Sequence, residues 1–63
     1  MSVGANVRRW RERHKMTQQE LADYLGIFPP YVSRLENGHI DPRLSTVLWL
    51  SEVLRIPISR LVR

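Results

Sequence analysis

Arg34 lies four residues after Pro30, one after Ser33 and three before Asn37. If this stretch is helical, those four side chains share a face. Val32 and Leu35 would then turn the other way, toward a core. The guanidinium of Arg34 is a planar fork of N–H donors, able to grip a phosphate or to make paired hydrogen bonds to O6 and N7 of guanine. The hydroxyls of Tyr31 and Ser33 can reach either kind of acceptor. Catalytic chemistry has no comparable foothold. His14 and His39 stand alone, no nucleophile is paired with a base, and no motif brings two carboxylates together. The expectation is therefore no catalytic residue, no metal site and no cofactor.

Two short helical patterns must position that face. Thr17 is a good N-cap and Glu20 follows three residues later, the arrangement of a capping box, so a helix should run through Leu25 with Leu21, Ala22 and Leu25 inside. Gly26 can adopt the left-handed conformation that closes it. A third helix spans about residues 29–37 and ends at Asn37 and Gly38. Because the residue before a proline avoids helical angles, Pro29 should be extended and the regular helix should begin at Pro30. The two rings either pack on thymine methyl groups or merely stiffen the turn. A pair of short helices joined by a tight glycine turn is the helix-turn-helix pattern.

The flanking segments read as supports. Val3, Val7 and Trp10 recur at helical spacing, leaving Arg8, Arg9, Arg11, Arg13 and Lys15 on the rest of a first helix, more often a solvated face than a binding patch. Asp41 and Pro42 look like the N-cap and first turn of a fourth helix, with Leu44, Val47, Leu50, Ser51 and Leu54 as its buried stripe. Pro57 sets off a short fifth helix, and Ile56, Ile58 and Leu61 should seal the core.

Composition narrows the partners. Ten basic residues, all arginine except Lys15, stand against six acidic ones for a net charge of +4, which favours polyanions. Without cysteine there is no disulfide and no thiolate chemistry. No apolar run approaches the roughly 20 residues of a membrane span, and no signal-peptide core opens the chain, so a soluble cytoplasmic protein without membrane partners is expected. A chain this small buries only about 60% of its unfolded surface, so a tight helical core or a partner subunit must stabilise it.

Thr17, Gln18, Glu20, Leu21, Ala22, Gly26, Val32, Ser33, Leu35, Glu36, Gly38 and Pro42, continuing to Leu54, Ile56 and Leu61, make the chain resemble the phage-repressor and Cro-like helix-turn-helix domains of the xenobiotic response element type. The TQQELA start, the LENG end and the later proline carry most of the specificity. The resemblance implies an all-α, compact five-helix, lambda-repressor-like domain over residues 1–63. It further implies a sequence-specific regulator of transcription on double-stranded DNA, a repressor more than an activator, bacterial or phage-encoded and nucleoid-associated. With no room for an effector domain, any signal would come from another protein or from concentration.

The resemblance also assigns residues. Gln18, at the start of the second helix, would hold a phosphate, which the amides and dipole of that helix end also favour. Asn37 and Arg43 match positions that touch the DNA backbone or lie near the minor groove, although Asn37 could simply cap its helix. His39 falls in the adjoining loop, near the backbone. Arg11 and Glu36 match a pair that pins the first helix to the third. Thr46, Trp49 and Val53 form an extra face of the fourth helix, and family dimers pair through this region, so a homodimer is expected unless Trp49 folds over its own core. Arg55 stands where the family usually ends that helix with glycine, and Phe28, Pro29 and Pro30 replace its usual polar cap. Those prolines keep open a reading of another class, a protein-interaction module such as an antitoxin or adaptor with an unidentified protein partner.

Overall fold

The computed structural model describes residues 3–63. Five helices follow one another: α1 (Val3–Arg13), α2 (Gln18–Leu25), α3 (Pro29–Glu36), α4 (Leu44–Leu54) and α5 (Ile58–Leu61). The start of α2 is fixed reciprocally. Thr17 Oγ1 accepts from the Glu20 amide at 3.0 Å while the Thr17 amide donates to Glu20 Oε1 at 2.8 Å. At the other end Gly26, with φ at 70°, donates back to Ala22 and Asp23, and a side chain other than glycine's would be strained there.

Two helix starts and two expected core positions differ from the sequence reading. The extended residue before α3 is Phe28, and both Pro29 and Pro30 lie inside the helix. Proline's own φ already suits a first helical turn, and neither ring removes an amide that would have had an intrahelical partner. Phe28 supplies the carbonyl that accepts from the Tyr31 and Val32 amides, closing the turn. For α4, Arg43 and not Asp41 occupies the N-cap position, with no side-chain cap. The Arg43 carbonyl takes the Val47 amide at 2.9 Å, so the helix begins where burying Val47, Leu50 and Leu54 requires it. Leu44, one turn ahead of that stripe, is 71% exposed, and Ile58 is also left accessible.

The core consists of Val3, Val7, Leu21, Ala22, Leu25, Val32, Leu35, Val47, Leu50, Leu54 and Leu61, drawn from all five helices. Helix α1 reaches α3 through Gly4, where a Cβ would lie 1.8 Å from the Leu35 carbonyl oxygen. At the opposite flank of α1, Asn6 Nδ2 donates to the carbonyls of Leu61 at 2.7 Å and Arg63 at 3.3 Å, tying down α5. Arg55 ends α4 with φ at 55°, taking the left-handed conformation that glycine would adopt without strain. Next to it the Ser51 hydroxyl donates to the Ile56 carbonyl.

Candidate nucleic-acid interface

Helix α3 is suspended from a carboxylate. Glu36 is its acidic residue, and its side chain has no exposed surface. Arg11 meets it from α1, Nε to Oε2 at 2.7 Å and Nη2 to Oε1 at 3.0 Å, and Gln18 Nε2 donates to Oε1 at 3.0 Å from the start of α2. The remaining guanidinium nitrogen of Arg11 donates to the Met16 carbonyl at 2.7 Å, fixing the α1–α2 connection. A buried charge is tolerated only when paired and hydrogen-bonded, and here α1 and α2 supply the partners. Hydrogen bonding to Glu36 holds the Arg11 guanidinium above its ordinary pKa, against the opposing effect of burial.

This clamp sets which side of α3 faces outward. Val32, Leu35 and Glu36 point in. Pro30, Arg34 and Asn37 are exposed, Ser33 and Pro29 are half-buried, and Tyr31 is half-buried against the core. With Glu36 neutralised by Arg11, the unpaired charge on α3 is Arg34. Asn37 follows the last turn, its amide donating to the Ser33 carbonyl and its side chain reaching Ser33 Oγ at 3.5 Å. Gly38, with φ at 74°, and His39 then cap the helix by donating to Leu35 and Arg34 carbonyls. His39 and Arg43 are both exposed in the stretch leading to α4. Gln18 is the member whose surroundings sequence reasoning missed, because its partner is 18 residues away.

Phe28, at the turn before α3, is 82% exposed, and with Gly26, Ile27 and Tyr31 it lines an open apolar hollow. Its signal in the sequence is a large apolar residue where a polar cap would normally stand. On α4, Trp49 is 36% exposed and Thr46 is half-buried, whereas Val53 packs against the core and its carbonyl accepts from the Tyr24 hydroxyl at 3.3 Å. The exposed apolar residues of that helix are Leu44, Leu48 and Trp49. His14 is not isolated. Its ring stacks on Trp10 with centroids 4.0 Å apart. Among the described residues no group of three or more metal-ligating side chains is assembled, and no helix is long and apolar enough to cross a membrane.

Two helices joined by a left-handed glycine, the second anchored by its buried end and outwardly polar, define a helix-turn-helix unit. The family described as helix-turn-helix matches residues 7–61, and the chain belongs to that family. It is 39% identical over 62 residues to the HTH-type transcriptional repressor RghR of Bacillus subtilis (strain 168), covering 97% of this chain and 46% of that protein. It is also 31% identical over 62 residues to the immunity repressor protein of Bacillus phage phi105, covering 98% of this chain and 43% of the repressor. The chain thus spans about half the length of the curated relatives it matches. No solved structure matches it significantly.

Proposed function

We propose that the chain is a sequence-specific double-stranded DNA-binding regulator, a transcriptional repressor, which sets α3 in the major groove and binds as a homodimer. The observation that carries this reading is the outward row Pro30, Arg34 and Asn37 on a helix whose own carboxylate is neutralised by Arg11. Arg34 reads a base edge, and Gln18, Asn37, His39 and Arg43 serve as backbone contacts around it. Ser33, Tyr31, Pro29 and Pro30 belong to the same surface. The net charge of +4 and the repressor names of two relatives support the reading. Residues 1–63 act as one DNA-binding domain. Trp49, with Thr46 and Val53 about one turn to either side of it on α4, supplies the face for the two-fold contact.

Titration with random duplex at two salt concentrations, followed by selection of bound duplexes from a random pool, tests the proposal. Phosphate contacts release counterions, so affinity must fall steeply as salt rises, and the selected sites must share a motif. Salt-insensitive binding, or a pool that stays random, would favour the protein-interaction reading, with the exposed Phe28 hollow as its contact.

A further inference from the structure

Four arginines converge on a face that duplex recognition by α3 leaves unused. Arg9 and Arg13, one turn apart on α1, line a pocket of about 220 Å3 together with Arg60 of α5, Arg63 beyond it, Asn6 and Trp10. Among the described residues no aspartate or glutamate side chain lines this pocket. Among the described residues none of the four has an ion-pair partner, the two ion pairs being Arg8–Glu12 and Arg11–Glu36.

The orientation follows from helix geometry. Gly4 and Arg11 face α3. At 100° per residue, Arg9 and Arg13 lie roughly 140° and 180° around α1 from Gly4, on the flank where Asn6 binds the end of α5. The pocket therefore opens away from α3.

Like charges four residues apart on a helix repel, and Arg60 and Arg63 add to the same field. A multiply charged anion relieves that repulsion. Guanidinium forks match phosphoryl oxygens in bidentate pairs, and Trp10, half-buried, forms one wall. The pocket's size selects among polyanions. A duplex spreads its phosphates over a broad surface, whereas a few directly linked phosphoryl groups concentrate the same charge in a small volume. We propose that this pocket binds a compact polyphosphate, either free or as the phosphate tail of a nucleotide, independently of DNA recognition by α3.

Calorimetric titration of the full chain with tripolyphosphate at constant ionic strength tests the site, with ATP as a second arm and random duplex as a third. Saturable binding is expected in the wild type and in Arg34→Ala. The double variant Arg13→Gln/Arg60→Gln, altered at two exposed positions, should keep its circular dichroism spectrum and lose at least about tenfold in tripolyphosphate affinity. ATP binding tighter than tripolyphosphate would identify a nucleotide as the ligand, and the reverse order a free polyphosphate. The proposal is overturned if the double variant binds tripolyphosphate as the wild type does. It also fails if sulfate at matched ionic strength stabilises the protein equally, or if only duplex binding responds to the substitutions. Failure of duplex binding in the wild type would count against the repressor reading and leave this site standing.

Discussion

Arg11 and Glu36, 25 residues apart in sequence, meet as two parallel hydrogen-bonded pairs across the α1–α3 junction, with the carboxylate wholly buried and the guanidinium nearly so. Replacing Arg11 by Met strands that carboxylate with Gln18 as its remaining side-chain partner. The expected cost is about 3–5 kcal/mol, comparable to the whole stability of a domain this small. The double variant Arg11→Met/Glu36→Leu should recover much of the loss, because no charge is then left buried. Urea unfolding of the four proteins in the cycle measures both effects, and a cost below about 1 kcal/mol for the single variant would contradict the clamp. The raised pKa of Arg11 gives stability that is present below its unfolded-state value and lost only as pH rises through the folded value. This arm of the clamp therefore contributes no pH dependence near neutrality.

Gly4→Ala should destabilise. In an ordinary helix interior the change gains up to about 1 kcal/mol, but here the new methyl would overlap the Leu35 carbonyl, which is backbone and cannot swing aside. Pushing α1 away from α3 should cost about 3 kcal/mol or more. Thermal denaturation reads the sign directly, and a raised midpoint would show that the crossing is looser than described.

Arg55→Gly should act in the opposite direction. A side chain at φ 55° costs on the order of 1 kcal/mol that glycine avoids, partly offset by glycine's greater freedom when unfolded. The denaturant midpoint should rise, while Arg55→Ala, which keeps the Cβ, should show no such gain.

Arg34→Ala is expected to cost about 1–3 kcal/mol on a selected site and little on random duplex. An equal loss on both would make Arg34 a phosphate contact. Gln18→Ala should weaken all duplexes alike. It should also lower stability, since its amide is one of the two side-chain groups holding Glu36.

Trp49→Arg should yield monomers that remain helical but bind a selected operator weakly. In the dimer the two recognition helices would lie about 34 Å apart, so selected sites should be near-palindromes with half-sites about 10 base pairs apart. Sedimentation of both proteins decides. A monomeric wild type with an operator-competent mutant would place Trp49 in the core or against another partner.

The sequence alone carried what depends on neighbours within a turn or two. The Thr17–Glu20 capping box, the left-handed Gly26 and the inward Val32 and Leu35 specify two short helices and their turn, because each relationship spans four residues or fewer. The five-helix class and the family were legible for that reason. Helix phase, however, says which residues lie on a stripe and not how far the covering element extends. Leu44 continues the stripe of α4 and yet stands in solvent. The start of α3 at Pro29 likewise goes against the local preference of a residue before proline. Only the tertiary structure brought Gln18 to Glu36, pressed Gly4 on Leu35, and set Arg9 and Arg13 beside Arg60 and Arg63. Those pairings join residues 18 to 54 positions apart, and they are determined by the angles at which the helices cross while burying a shared core, a property no single segment possesses.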